Sequence, residues 1–136
     1  MEKLDKKKIC LIVLAAVIVL AAYWYYSSTQ WERDFEIRYV EYVGKSQKGN
    51  YSGKSYYLYE ITNKTNHTLT DVYAVISVED LMDEFEYEDL IEYNIKAGET
   101  VEYRIYTEDY EEAAEAQGET LVFVSSVEIV KIKYSK

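Results

Sequence analysis

Eight carboxylates fall within fourteen residues, at Glu79, Asp80, Asp83, Glu84, Glu86, Glu88, Asp89 and Glu92. Acids at this density suit two chemistries. A hard cation needs several oxygens converging at short range; a basic partner needs only a charged face. The spacing speaks against the cation. The EF-hand order with its central glycine is absent, and alternation sets Glu84, Glu86 and Glu88 along one face of a strand, side by side. The plainer reading is a solvated strand face; the functional alternatives are a cation site in the segment or a docking patch for a basic partner on Glu84, Glu86 and Glu88. No metal or cofactor site is expected.

His67 is the single histidine and stands between Asn66 and Thr68 in a polar turn. One histidine without cysteine partners cannot hold zinc, and no nucleophile elbow accompanies it for acyl transfer. Paired acids for glycoside hydrolysis would need a cleft that a small domain seldom provides. Phosphate-binding and dinucleotide glycine motifs are missing. No catalytic residue is therefore named, and the chain is read as a non-enzyme. Asn50-Tyr51-Ser52, Asn63-Lys64-Thr65 and Asn66-His67-Thr68 match the glycosylation triplet, which matters only in a glycosylating host. Sixteen tyrosines are more suggestive. In Tyr56-Tyr57-Leu58-Tyr59 successive side chains point to opposite faces. Tyr56, Tyr57 and Tyr59 are thus candidates for protein or carbohydrate contact, against the alternative that their rings fill a small core and its rim.

The elements that would carry these residues read as mainly β. Phe35 to Val43 alternates, with Phe35, Ile37, Tyr39 and Val43 on one parity and Glu36 and Arg38 on the other. Residues 44–55 are a glycine-, serine- and lysine-rich loop. Tyr56 to Asn63 is a second strand, and Lys64 to Thr68 a turn. Leu69 to Val78 is the clearest strand, with Val72, Ala74, Ile76 and Val78 on one face. A short helical turn is read at the start of Glu79 to Glu92, then a strand or extended segment from Glu84 toward Ile95. Lys96 to Glu99 is a tight turn. Thr100 to Thr107 alternates with Val101, Tyr103 and Ile105 inward. Glu108 to Gln117 forms one or two helical turns stopped by Gly118. Thr120 to Tyr134 is read as two strands broken near Ser125-Ser126. The expectation is an antiparallel immunoglobulin-like β-sandwich of about seven strands over residues 35–136.

The stretch from Tyr59 to Asp80, followed by Ile95 to Thr107, resembles the FxLYD-type domains of bacterial envelope proteins. The matching features are Asn63 to Asn66 as the Asn-rich turn, Val72 to Asp80 as the strand closing on an acid, Gly98-Glu99 as a turn and Tyr103 as an inward aromatic. Ile76-Ser77-Val78-Glu79-Asp80 stands where the naming motif would be, and Ala97 replaces a proline. The resemblance covers about residues 56–107. It implies an immunoglobulin-like extracytoplasmic domain of a membrane-attached protein, with no catalytic residues.

Ahead of this domain, Ile9 to Tyr26 is eighteen consecutive apolar or aromatic residues. As a helix it would run about 27 Å, close to the roughly 30 Å hydrocarbon core. Lys6, Lys7 and Lys8 precede it, within a basic tail over residues 1–8, and acids follow. The positive-inside bias then puts the N-terminus in the cytoplasm. Tyr23, Trp24, Tyr25 and Tyr26 fall at the outer membrane interface, and residues 27–34 are a polar connector. A cleaved signal peptide is the rival reading. Cys10, the only cysteine, leaves the outer domain without an internal disulfide. From Ser27 onward there are 11 basic and 23 acidic residues, a net of −12. That excess repels nucleic acid and anionic headgroups and suits a well-hydrated surface or a cationic partner. The expected function is a single-pass, membrane-anchored binding or scaffolding domain in the cell envelope, extracellular, with a protein or envelope-polymer partner and membrane lipid around residues 9–26. The alternatives are an accessory or sensory subunit acting through its helix, or a secreted domain.

Overall fold

The apolar run folds as one helix, α1 (Lys6–Ser28), of 23 residues. In the computed structural model residues 6–50, 53–81 and 83–136 are described. Residues 1–5 of the expected basic tail, and Tyr51 and Ser52 of one Asn triplet, lie outside them. No residue of α1 is buried, and Trp24 is 72% exposed. A helix apolar on every side has the composition of a membrane span. At 1.5 Å per residue its length is about 35 Å, enough to cross a bilayer. Two hydroxyls close it: those of Ser28 and Thr29 donate to the Tyr25 carbonyl at 3.1 and 2.8 Å. The connector expected at 27–34 is accordingly helical. Ser27 and Ser28 complete α1, and α2 (Gln30–Asp34) follows after one residue.

The chain divides into two compact units, with the boundary after Gln30. From Trp31 onward the described residues form six strands, not the seven expected. They are β1 (Phe35–Val43), β2 (Tyr56–Asn63), β3 (Leu69–Asp80), β4 (Glu84–Ile95), β5 (Thr100–Tyr106) and β6 (Val124–Ser135), with α3 (Thr107–Ala116) before the last. All pairings are antiparallel, in two three-stranded sheets of order β1-β2-β5 and β4-β3-β6. The strand expected ahead of Ser125-Ser126 does not form, since residues 120–123 are not strand. β6 starts at Val124 and passes the serines with a register shift that skips Ser125, Ser126 pairing with Glu79 and the Ser125 hydroxyl donating to the Glu79 carbonyl at 3.2 Å. Small polar residues suit an outward strand position as well as a turn. Glu79 and Asp80 likewise close β3 and do not start a helical turn.

One core lies between the sheets. Val72, Ala74, Ile76 and Val78 of β3 are fully buried against Ile61 of β2, Ile105 of β5 and Ile132 of β6. Each aliphatic side chain removed from water this way contributes about 1.5–3 kcal/mol. α3 covers the rim with Tyr110 and Ala114 inward, and Gly118, at φ +74°, ends it. Register shifts interrupt the β1–β2, β3–β4 and β3–β6 pairings. Val40 is skipped in the β1–β2 pairing. Asp71, at φ 49°, sits where the β3–β6 register jumps; a short polar side chain tolerates that left-handed conformation.

The sheets are also tied by a buried polar residue. Asn63 is fully buried at the end of β2. Its amide nitrogen donates to the carbonyls of Ile95 and His67, both at 2.9 Å. Its amide oxygen accepts from the backbone nitrogen and hydroxyl of Thr65 at 2.9 and 2.6 Å. The main chain of Asn63 bonds Glu99 and Gly98 at 3.0 and 2.9 Å. One side chain thus fastens the β2–β3 turn to the end of β4, across the two sheets. At the same end the Tyr134 hydroxyl donates to the Asp34 carboxylate. The opposite end carries the loop after β1, the β3–β4 turn and α3 with the segment after it.

Candidate functional site

Glu84, Glu86 and Glu88 alternate along β4, with Phe85 and Tyr87 turned inward between them. The register sets them opposite Glu79, Ser77 and Val75 of β3, and β6 adds Ser126, Glu128 and Lys131 to the same rows. The outer face is therefore acidic at one end and basic at the other. Glu88 is paired with Lys133, and Glu84 accepts from the Ser77 hydroxyl at 3.0 Å. Glu86 and Glu88 line a depression of about 380 Å3 together with Val75, Lys131 and Lys133. Exposed pairs of this kind are worth up to about 1 kcal/mol each. The three glutamates share a face, but they do not converge. Among the described residues no three His, Cys, Asp or Glu side chains gather as a metal-ligand set. His67 lies in its turn with Nδ1 3.1 Å from the Asn66 amide oxygen.

The tyrosines of β2 divide. Tyr59 is buried in the core and Tyr57 packs against it. Tyr56 lies on the other face, its ring 5.5 Å from that of Tyr106 and under the Arg104 guanidinium at 5.3 Å. Beside them, β1 presents two exposed rings. Tyr39 and Tyr42 are 52% and 47% exposed, and they touch Tyr59 and Tyr57 at centroid distances of 5.4 and 4.9 Å. Alternation predicts Tyr39 inward, and by register it does stand on the face of Tyr59. The Val40 bulge then brings Tyr42 onto that face as well, at an edge where the second sheet leaves both rings in solvent.

Burial governs how the phenol of Tyr59 titrates. It pushes Tyr59 up to about 12. Tyr87, Tyr103 and Tyr134 are also pushed up by burial, helped in Tyr103 and Tyr134 by hydrogen bonds to carboxylates. The Tyr103 hydroxyl donates to Asp89 at 2.5 Å and bridges β5 to β4. A phenol that holds its proton more tightly when folded keeps its full stabilisation below the unfolded value of about 10 and loses it as pH rises further. The domain should therefore be stable to pH 9 and unfold cooperatively above about pH 10.5. Absorbance at 295 nm, followed with circular dichroism, checks this. Gradual tyrosine ionisation without loss of structure would refute it.

A third feature was not legible in the sequence, because it joins a helix to a segment beyond it. α3 and residues 119–124 enclose a groove of about 540 Å3, lined by Tyr110, Glu111, Ala114, Glu115, Glu119, Thr120, Leu121, Val122 and Val124. Glu111 and Glu115 stand four apart on one helix face, so both meet the groove. Its outer lip is held by Asp80, whose carboxylate accepts from the backbone nitrogens of Val122 and Phe123 at 2.8 and 2.5 Å. Those bonds, the Val122 one foremost, keep the Asp80 carboxyl below its ordinary value. Leu81 adds a backbone bond to Phe123 at 3.2 Å. A hydrogen bond between the Asp83 and Glu119 carboxyls lowers the first and raises the second. So fastened, Leu81, Val122 and Phe123 present their side chains outward at 68%, 68% and 62% exposure. The chain matches no family model, no curated protein and no solved structure.

Proposed function

We propose that this chain is a single-pass membrane protein of a cell envelope whose β domain binds or scaffolds another component outside the membrane. The observation that carries the reading is α1, an all-round apolar helix of 23 residues with no buried position. Lysines at its start and aromatic rings at its end favour an inward N-terminus and an outward domain. Binding without chemistry fits a domain whose carboxylates spread along a face and whose Tyr39 and Tyr42 rings stand exposed on an edge strand. The immunoglobulin-like reading belongs to the same proposal. It is supported by the crossing from β2 to the β3–β4 hairpin of the other sheet and back to β5 beside β2, the kind of connection such sandwiches use, here with a strand fewer. The resemblance to FxLYD-type domains is supported by the positions of its matched residues. Asn63 closes β2, Val72 to Asp80 lie in β3, Gly98-Glu99 turn into β5, and Tyr103 points inward.

Topology is tested with a cysteine at Ser46, in the exposed loop after β1, in a Cys10→Ala background. A membrane-impermeant maleimide should label Ser46→Cys in intact cells. Labelling only after lysis would reverse the orientation and end the proposal.

A further inference from the structure

We propose that the groove between α3 and residues 119–124 docks a basic amphipathic segment of another protein. The inference rests on the binding reading above and assigns it a place. The groove has an apolar floor, made by Ala114, Leu121 and Val124, and its lip carries Val122. An exposed apolar cluster on a monomer marks an interaction surface when polar residues rim it. Here the rim is Glu111, Glu115 and Glu119, and residues 107–120 contain no basic residue to neutralise it. The occupant must therefore offer apolar side chains to the floor and lysine or arginine to the rim, as the apolar face of a helix laid in a groove does. A second copy of the chain is disfavoured, since its domain carries the same net of −12. An anionic bilayer is repelled by the same rim. Asp80 makes the lip rigid before anything binds, which lowers the ordering cost of association.

The test uses the full chain in nanodiscs of zwitterionic lipid. The probe is a fluorescent peptide of about 14 residues, leucines at helical spacing and lysines elsewhere. Anisotropy should show binding beyond that to empty nanodiscs. Glu111→Gln, Glu115→Gln and Glu119→Gln together should weaken it roughly tenfold or more, the scale expected of three lost exposed charge pairs. Val122→Ser should weaken it as well. Glu36→Gln, Glu41→Gln and Glu92→Gln remove equal charge from exposed positions elsewhere and should change affinity less than about threefold. Thermal melts confirm that every variant folds. The proposal is overturned by binding no better than to empty nanodiscs, by equal loss in the two triple variants, or by a lysine-only peptide binding as tightly. Recruitment of the isolated nanodisc particle to anionic vesicles through Val122 would overturn it too, in favour of a membrane occupant. The Ser46→Cys labelling reads the anchoring separately, so either reading can fail while the other stands.

Discussion

Two aspartates placed at Leu14 and Val17, near the middle of α1, should release the protein from membranes. The unaltered chain should stay in the pellet after alkaline carbonate extraction and keep its full mass of 16.0 kDa. The double variant Leu14→Asp, Val17→Asp should appear in the supernatant. Each central aspartate costs about 2.5–3.5 kcal/mol on the insertion scale. Together they oppose the burial of a helix whose exposed positions include Leu11, Leu14, Val17, Val19 and Leu20. Snorkelling cannot relieve so short a side chain at that depth. The basis is the absence of any polar stripe on α1, so no rotation of the helix hides the new charges. If both forms fractionate alike, the helix does not hold the chain in lipid. A shortened mature mass would mean that residues 9–26 act as a cleaved signal instead.

The second large effect is expected at Asn63. Asn63→Ala should destabilise the β domain by about 3 kcal/mol, lowering Tm by roughly 15 °C for a domain of this size. The mechanism is orphaning. The Ile95 carbonyl is buried and loses the amide of Asn63, its partner at 2.9 Å, and the Thr65 backbone nitrogen loses its acceptor. Asn63→Asp separates this from mere cavity formation. It keeps the volume and the acceptor for Thr65 but turns an oxygen toward the carbonyls of Ile95 and His67, so it should be nearly as damaging. A change within about 0.5 kcal/mol for either variant would show that the clasp is not holding the sheets together.

Much of the framework can be read from the residues, and the particulars show why. Alternation alone bounds β1 and β2, since Phe35 to Val43 and Tyr56 to Asn63 are the strands found. It likewise finds the inward row of β3, because a buried face forces apolar residues at every second position. What escapes it is pairing and distance. Ser125-Ser126 carry turn composition, yet Glu79 on a strand 46 residues away keeps the backbone extended there. The bulge at Val40 adds a residue that parity cannot register. Asn63 has the composition of a turn former, and only the arrival of Ile95 shows that it is a buried clasp. The groove is made by α3 and a segment past Gly118, and its floor and its acids each draw on both stretches. Alternation puts Glu84, Glu86 and Glu88 on one face, as found, but the pairing of Glu88 with Lys133 depends on a strand 45 residues along the chain.

The outer edge of β4 has a consequence for copies sharing one surface. Were the chain anchored as proposed, neighbours would meet often in two dimensions, where unpaired strand backbone invites sheet continuation from one molecule to the next. On β4, Gln117 already occupies the Glu86 carbonyl at 2.8 Å, and Glu84, Glu86, Glu88 and Glu92 stud the margin with like charge. Lateral zippering would have to displace the glutamine and press two rows of carboxylates together. Crowded copies would therefore stay discrete at this edge.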